Sequence, residues 1–600
     1  MRSSPPSTCP TIGRFATRTI CTGTLFYRKY FFVTDVPGTR RMLWFGGAYM
    51  DTTVFVNGTE VGQWKYGYTS FWFDITDALH EGQNEVLVRC NLRHPNSRWY
   101  SGAGLYRNVE LWEAPDLHLM PDGLYVAAKE GDNGAWTVTV TAEAGSVTAA
   151  STGRTLTLHL TDDNGSLLGT AAIPADAWAA LPSPDGWRTG KETTIYKASH
   201  TFTLQDPALW DLDAPSFYHI TAELTGADGV IDTLTTRFGC RTIEATPDCG
   251  LLVNHKRVLI KGVCIHHDFG CLGSAFEYSA AKRQLEILKS MGVNSIRTGH
   301  TPPAPQFMDL ADEMGILMDV ESFDCWRSGK NPYDYGRFFD EWQEKDVAAW
   351  IRRDRNHPSL LFWCIGNEIY DTHAGPEGAD TMRMLLAEVA AHDPARNGIP
   401  TLGSNYMPWE NTQHCADIIK VAGYNYGERL YASHHEKHPD WVIYGSETSS
   451  IVQSRGIYHF PLSQSLLSDD DLQCSSLGNS RTSWGAESWD VCLQSEQRWP
   501  FTLGQYLWTG WDYIGEPTPY HTRNSYFGTI DTAGFPKDAY YVVQAAWLDP
   551  KTHPMVHLFP YWDFNEGQLI DLCACTNAHS VELFVNGESL GRKVLDSAKG

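Results

Sequence analysis

The chain has 600 residues, of which 42% are apolar and 20% are charged, and this length allows three or four domains with large cores. Its 47 Lys and Arg residues against 71 Asp and Glu residues give a formal net charge of -24. This acidic balance argues against nucleic acid and anionic membranes as partners, and no apolar run is long enough to predict a membrane-spanning helix.

Residues 1–115 predict an all-β sandwich, because short alternating strands are separated by turn residues. Asn57 and Gly58, between two such strands, predict a tight hairpin. The segment before the first strand has a basic residue but no apolar run behind it, so it shows no secretory signal. The strand candidates are "LFYRKYFFV", "DTTVFVNGTEVG", "FWFDITDAL", "NEVLVRCNL" and "RNVELWEA".

Residues 116–241 continue the alternation with more polar residues and predict a second sandwich of about seven strands, of immunoglobulin type. Sandwich-like strands return in residues 551–600, where "LFVNGESLG" repeats the hairpin pattern of "VFVNGTEVG". This last segment is too short for a complete sandwich, so we expect a partial one.

Between the sandwiches, residues 242–550 alternate strands with helices, as in "SAAKRQLEILKSMG" and "DTMRMLLAEVAAHD". Eight strand-helix repeats over this length predict a (β/α)₈ TIM barrel. Residues 450–500, between the last two strands, predict a long loop over one end of the barrel. The eight strand candidates are "VLIKGVCI", "VNSIRTG", "GILMDVE", "LLFWCIG", "IPTLGSN", "IKVAGYN", "WVIYGSE" and "GQYLWTGW".

Two apolar strands of the predicted barrel end in a glutamate. Glu368 follows strand four and Glu447 follows strand seven, and reactive groups of such barrels project from these carboxyl ends. Paired carboxylates across a pocket suit glycoside hydrolysis, at a separation of about 5–5.5 Å for retention and about 6.5–9.5 Å for inversion. A solvated or ion-paired glutamate is the commoner role for a single such residue. Asn367 adds an amide that can bind a sugar hydroxyl.

Several segments resemble glycoside hydrolase family 2, the β-galactosidase and β-glucuronidase family. "RRDRNHPSLLFWCIGNEIYD" resembles its acid/base segment, and "VIYGSETSS" resembles its nucleophile segment. The resemblance covers nearly the whole chain and implies a sugar-binding jelly-roll-like sandwich, an immunoglobulin-like sandwich, a TIM barrel and a C-terminal sandwich. Further matching segments are "NSRWYSGAGLYRNV", "KGVCIHHDFG", "SIRTGHTPP", "DVESFDCW" and "LWTGWDYIGEPTPY".

The resemblance implies that Glu368 is the general acid/base and Glu447 the nucleophile of a retaining, exo-acting β-glycosidase. It implies that Tyr426 hydrogen-bonds the nucleophile and that Arg297 lies beside it, where a cation lowers a carboxylate pKa. Further implied sugar contacts come from His300, from one of His266 and His267, from Trp511 as a stacking platform, and from Asp512.

Departures from the family pattern narrow the expected activity. Asp324-Cys325-Trp326 stands where metal-dependent members carry Glu-x-His, so we expect no magnesium and no other cofactor. No Asn-x-Lys signature of β-glucuronidases follows strand eight, and "GEPTPY" and "YFGTIDTAGFPKD" are most similar to β-galactosidases with an added C-terminal sandwich. The alternatives are a β-glucuronidase, a β-mannosidase or a non-catalytic carbohydrate-binding protein.

The 14 cysteines are scattered without a CxxC pair, which favours reduced thiols in a cytoplasmic protein and gives no zinc site. Residues 1–23 do not resemble the family's first strand pair, so we expect an incomplete N-terminus. The expected partner is a carbohydrate substrate, and a homo-oligomer is left open.

Overall fold

Four groups of elements follow one another along the chain in the computed structural model. None of the helices in the described residues is long and apolar enough to cross a membrane. The described residues are 2–3, 23–34, 38–148, 152–182, 193–463, 473–477, 487–518, 522 and 524–595.

The first group is a sandwich of two four-stranded sheets around an aromatic core that includes the fully buried Trp64 and Phe73. Asn57 and Gly58 both have positive φ and form the predicted two-residue hairpin turn. The strands are β1 (Arg2–Ser3), β2 (Gly23–Val33), β3 (Thr39–Phe45), β4 (Ala48–Tyr49), β5 (Thr52–Val56), β6 (Thr59–Trp64), β7 (Phe71–Asp74), β8 (Gly82–Leu92), β9 (Gly104–Leu105) and β10 (Val109–Pro115). The sheet orders are β1-β10-β3-β7 and β2-β8-β5-β6, with β4 paired to β9.

The second group is another sandwich, whose inward-facing residues alternate along each strand, as Leu156, Leu158 and Leu160 do. Its strands are β11 (His118–Glu130), β12 (Ala135–Ser146), β13 (Thr155–Asp162), β14 (Leu167–Pro174), β15 (Ala179–Pro182), β16 (Thr194–Gln205), β17 (Tyr218–Gly226) and β18 (Gly229–Phe238). They form sheets β11-β12-β16-β15 and β14-β13-β17-β18. A small sheet of β19 (Ile243–Thr246), β20 (Gly250–Val253) and β21 (Lys256–Val258) leads into the next group.

The third group is a closed barrel of eight parallel strands, which confirms the predicted fold class. Each of the eight strand segments predicted from the sequence overlaps one barrel strand. The strands are β22 (Ile260–Ile265), β23 (Ser295–Thr298), β24 (Leu317–Glu321), β25 (Leu360–Asn367), β26 (Ile399–Ser404), β27 (Val421–Asn425), β28 (Val442–Ser449) and β29 (Gly504–Trp508). Pairing of β22 with β29 closes the barrel.

Helices pack around the barrel with one apolar side inward. In the first of them Leu285, Leu288 and Met291 are fully buried, at the spacing of one helix face, and Gly292 ends it in the left-handed conformation. The helices are α1 (Tyr278–Met291), α2 (Pro305–Met314), α3 (Phe339–Asp354), α4 (Asp371–Ala374), α5 (Glu377–His392), α6 (Glu410–Ile419), α7 (Tyr431–Lys437), α8 (Trp489–Arg498) and α9 (Asp538–Trp547).

The fourth group contains short antiparallel pairs. β32 (Val556–Phe559) pairs with β33 (Cys573–Thr576), and β34 (Ser580–Val585) pairs with β35 (Glu588–Val594). A short pair of β30 (Tyr513–Thr518) and β31 (Asn524–Ser525) lies between the barrel and this group.

A buried ion cluster joins the second sandwich to the barrel. Asp312 of α2 lies 3.2 Å from Arg237 of β18 and 2.7 Å from Nδ1 of His357. Burial opposes the imidazolium, but the Asp312 carboxylate raises the pKa of His357 to about 9. Because the pKa of His357 is raised in the folded state, the free energy of unfolding that this pair contributes is lost as the pH rises through about 9.

Asp312→Asn should lower the free energy of unfolding by about 3 kcal/mol, because Arg237 and His357 lose their buried partner. Chemical denaturation at neutral pH measures this difference. The matched control is Asp309→Asn, since Asp309 also pairs with Arg237, at 3.5 Å, but 51% of its side chain is exposed. We expect less than about 1 kcal/mol from the control, and equal losses in both variants would contradict the cluster's role.

Candidate active site

The two glutamates lie at the carboxyl end of the barrel, at the positions predicted from the sequence. Glu447 lies two residues before the end of the fully buried strand β28. Glu368 comes directly after β25 and has a φ of 46°, and its amide donates to the carbonyl of Gly403 on β26. Tyr426, directly after β27, also has a positive φ of 53°. Such strained backbone at the ends of barrel strands is typical of functional sites.

Glu447 is held by two donors. Nη1 of Arg297 lies 2.8 Å from its Oε1, and the Tyr426 hydroxyl donates to its Oε2 at 2.8 Å. Burial raises the pKa of Glu447 to about 7, against the lowering effect of Arg297 and with a further increase from Glu368. Arg297 therefore lies where the sequence predicted, but its charge does not outweigh the cost of burying Glu447.

Glu368 is linked to Glu447 through a chain of hydrogen bonds. The Asn425 amide donates to Oε1 of Glu368 at 3.0 Å and to Oδ1 of Asn367 at 3.1 Å. The same Asn367 oxygen accepts from Nη2 of Arg297 at 2.9 Å, and Arg297 reaches Glu447. Asn367 thus positions two side chains of the site, a role that was not predicted from the sequence.

A buried ionic network lies behind Glu447. Nε of Arg297 is 2.8 Å from Oε1 of Glu321 and 3.8 Å from Oδ2 of Asp319. Nδ1 of His300 lies 3.1 Å from Glu321, and its Nε2 lies 3.7 Å from Glu447. One guanidinium faces three carboxylates, and burial raises the pKa of Asp319 to about 6 and that of Glu321 well above its usual value.

Aromatic rings line the same end of the barrel. The ring of His300 stacks on Trp508 with centroids 5.2 Å apart, and Trp99 of the first sandwich lies 5.5 Å from His300. The ring centroid of His266 lies 5.9 Å from that of His300 and 4.0 Å from that of Tyr513. Within the described residues, the two ring nitrogens of His266 have no hydrogen-bond partner. Both nitrogens are buried, and the sugar contact of His266 stays a prediction.

His267, the alternative to His266, lies away from the carboxylates. Its Nε2 is 3.2 Å from the carbonyl of Ser101, and its ring packs against Tyr68 and Tyr106 of the first sandwich. The ring of His266 instead contacts Trp508 and Tyr513 at the barrel mouth.

Trp511 and Asp512 stay predictions as sugar contacts, and both make contacts within the protein. Trp511 is 6% exposed and lies in the core cluster that also contains Leu288. Asp512 pairs with Lys537 at 2.7 Å and accepts from the amide of Gly528, contacts that hold the segment after β29 in place. Trp508, three positions earlier and the last residue of β29, is 4% exposed and stacks on His300.

The sequence reasoning missed a cationic group at the mouth of the site. Arg98 of the first sandwich lies 3.7 Å from Oε2 of Glu368, 3.8 Å from Glu516 and 3.1 Å from Asp324. Lys330 lies 2.7 Å from the same Asp324 oxygen. Arg98 is part of "NSRWYSGAGLYRNV", one of the segments that carry the family resemblance, which was the available signal.

The residues around Asp324 bear on metal binding. Asp324 contacts Lys330, Arg98 and the amide of Asn367, so protein donors occupy this carboxylate. Among the described residues, a group of three possible metal ligands within 4.8 Å occurs at Asp309, Asp312 and His357, in the interdomain cluster that already holds Arg237. We assign no metal to either place.

A closed parallel barrel with two glutamates at its carboxyl end, preceded by two sandwiches, has the architecture of a glycoside hydrolase. Family models agree: residues 245–435 match the TIM barrel domain of glycosyl hydrolases family 2, and residues 122–241 match a second model of that family. The chain belongs to glycosyl hydrolase family 2. A domain family of unknown function matches residues 567–599.

Curated and solved relatives support this assignment. A β-galactosidase of Bacteroides ovatus, BoGH2A, is 36% identical over 96% of this chain and 71% of its own length. A putative β-glucuronidase of Formosa agariphila is 31% identical over 94% of this chain, which spans about half, 54%, of that protein. A β-glycosidase structure from Bacteroides vulgatus has 30% identity and a TM-score of 0.82, covering 96% of this chain and 73% of that one. The chain is therefore a β-glycosidase of this family, as predicted.

Arg297→Met should lower the free energy of unfolding by about 3 kcal/mol, because buried Glu321 and Glu447 lose their cation. The folded state already raises the pKa of these carboxylates, so its stability falls as the pH rises through those values. Without Arg297 the pKa values of these carboxylates rise further, so the loss of stability extends to higher pH. The denaturation midpoint of Arg297→Met should therefore differ more from that of the wild type at about pH 8.5 than at about pH 6.

The double variant Arg297→Met/Glu321→Gln removes one of the unpaired charges. It should recover part of the stability lost in Arg297→Met. A double variant no more stable than the single one, together with a pH-independent loss, would contradict this account of the network.

Proposed function

We propose that the chain is a retaining exo-β-galactosidase with Glu447 as nucleophile and Glu368 as general acid/base. The observation that carries the proposal is the difference between the two carboxylate environments. Glu447 accepts hydrogen bonds from Arg297 and Tyr426, which favour its ionised form. Glu368 accepts a hydrogen bond from the neutral amide of Asn425, and its nearest cation, Arg98, lies farther away, at 3.7 Å. Carboxylates in unlike environments suit separate nucleophile and acid roles.

In the first step, an oxygen of Glu447 attacks the anomeric carbon as the bond from that carbon to the leaving oxygen breaks. Glu368 gives its proton to the leaving oxygen, so the leaving group departs as a neutral alcohol. The products are a glycosyl ester on Glu447 and an ionised Glu368.

In the second step, Glu368 accepts a proton from a water molecule, whose oxygen attacks the anomeric carbon. The ester bond to Glu447 breaks, the sugar leaves with retained configuration, and both side chains return to their starting states. Arg297 and Tyr426 stabilise the carboxylate that Glu447 regains.

Charge balance at the site supports a neutral sugar. Among the described residues around the two glutamates, Arg297, Arg98 and Lys330 each already have a carboxylate partner. A carboxylate on the substrate would therefore have to compete with a protein carboxylate for any of these three cations. The 36% identity to a β-galactosidase points the same way.

A β-glucuronidase is the second candidate, because 34% of the Arg98 side chain is exposed beside Glu368 and can reach a substrate carboxylate. Measuring kcat/KM on a panel of aryl β-glycosides distinguishes the two candidate activities. The β-galactoside should have the highest kcat/KM, and a preference for the glucuronide or the mannoside would replace galactose in the proposal without changing the catalytic pair.

The test of the mechanism is covalent labelling with an activated 2-deoxy-2-fluoro-β-galactoside. The fluorine destabilises the positively charged transition state of both steps, and a good leaving group lets the first step proceed, so the ester accumulates. Peptide mass spectrometry should find the label on Glu447.

Glu447→Gln is the matched control, since it keeps the size of the side chain and removes the nucleophile. It should take up no label. Labelling of Glu368, or hydrolysis of aryl galactosides by Glu447→Gln at the wild-type rate, would refute the assigned roles. No hydrolysis and no label in the wild type would refute the β-galactosidase.

The pH profile gives an independent prediction. Glu447 must be ionised to attack, and its pKa is raised to about 7, so kcat/KM should fall as the pH drops through this value. Tyr426→Phe removes a hydrogen bond to the ionised form and should move this acid limb up by about one pH unit.

Tyr424→Phe, two residues earlier on β27, is the matched control, because the Tyr424 hydroxyl lies 2.9 Å from Nδ1 of His434 rather than at Glu447. Its acid limb should coincide with that of the wild type. An acid limb that does not move in Tyr426→Phe would show that Glu447 does not set it.

A further inference from the structure

Four aromatic side chains form a group beside Glu368, with two of them largely open to solvent. Trp409 is 58% exposed and Tyr370 is 39% exposed. We call the group the rim aromatics, and its members are Tyr370, His373, Tyr406 and Trp409.

The backbone places the rim aromatics next to Glu368. Tyr370 is two residues beyond Glu368 in the chain. The amide of Glu368 donates to the carbonyl of Gly403 at 2.8 Å, and Tyr406 is three residues beyond Gly403. Burial and the nearby Glu368 charge raise the pKa of Tyr406 to about 12, which agrees with this proximity.

Contacts within the group hold the rings in place without any ligand. The ring of His373 stacks on Tyr406 with centroids 4.0 Å apart, and it lies 5.6 Å from Trp409. The amide of Trp409 donates to the carbonyl of Tyr406 at 2.9 Å, and the side-chain amide of Asn411 donates to the carbonyl of His373 at 3.2 Å. A site ordered in advance loses little conformational entropy on binding.

Packing alone does not explain this group. Single exposed apolar residues are ordinary on protein surfaces, but the exposed ring of Trp409 continues a chain of ring contacts that leads through His373 and Tyr406 towards a buried carboxylate. In the proposed mechanism Glu368 protonates the leaving oxygen, so the leaving group must lie on the Glu368 side of the site.

We propose that the rim aromatics are a binding subsite for a saccharide leaving group, an inference that rests on the proposed function. A sugar ring can stack its apolar face on Trp409 and Tyr406. The hydroxyl of Tyr370 and the exposed carboxylate of Glu410 offer hydrogen-bond acceptors for the sugar hydroxyls. An aryl leaving group would use the rings but not these acceptors, so the observations favour the saccharide.

The experiment compares two substrates that share galactose and differ in the leaving group. A β-galactosyl disaccharide has a sugar to stack, while β-galactosyl fluoride has none. Trp409→Ala should lower kcat/KM for the disaccharide about 10-fold more than for the fluoride, which corresponds to one strong aromatic contact. Trp562→Ala is the matched control, since Trp562 is 74% exposed and lies in the C-terminal group. It should leave both values unchanged.

Each outcome is decisive. If Trp409→Ala lowers kcat/KM equally for the disaccharide and the fluoride, or lowers neither, the proposed subsite is overturned. A larger loss for aryl galactosides than for the disaccharide would replace the saccharide by an aromatic leaving group and overturn the proposal as stated. If the wild type cleaves another sugar in the panel, the fluoride and disaccharide of that sugar are compared. A wild type that cleaves no glycosyl fluoride would refute the proposed function itself.

Discussion

The geometry of the site depends on one buried guanidinium. Arg297 is fully buried and contacts Glu447, Glu321 and Asn367, which lie on or at the ends of three other barrel strands. Burying several carboxylates together without a cation destabilises the fold, because each loses its hydration. Arg297 presents donors in a rigid planar fork, so it compensates the charges and fixes the directions of their side chains at the same time.

The barrel does not form the site alone. Arg98 and Trp99 come from the first sandwich, where Arg98 lies 3.7 Å from Glu368 and Trp99 packs on His300. The second sandwich contributes none of the contacts described at the two glutamates, but its Arg237 pairs with Asp312 of α2 and so ties it to the barrel. The first sandwich therefore contributes side chains to the site, and the second is tied to the barrel by an ion pair.

The sequence predicts the barrel and its two glutamates because parallel strands buried on both faces read as uninterrupted apolar runs, and because such runs end where reactive side chains project. It does not distinguish Trp508 from Trp511 or His266 from His267, since these choices depend on where a strand ends and which way a side chain turns. Arg98 lies far from the barrel in sequence, so only the packing of the domains brings it to Glu368.

The surplus of carboxylates at the site has a consequence for the transition state. Among the described residues, Arg297, Arg98 and Lys330 face six carboxylates, although burial raises the pKa of several of these and reduces the net charge. Glycoside cleavage develops positive charge on the sugar ring, so an environment with excess negative charge binds the transition state more tightly than the neutral substrate. The same excess opposes a substrate that brings a carboxylate of its own. The proposed catalysis and the proposed preference for an uncharged sugar thus rest on one electrostatic arrangement, whose carboxylates are Asp319, Glu321, Asp324, Glu368, Glu447 and Glu516.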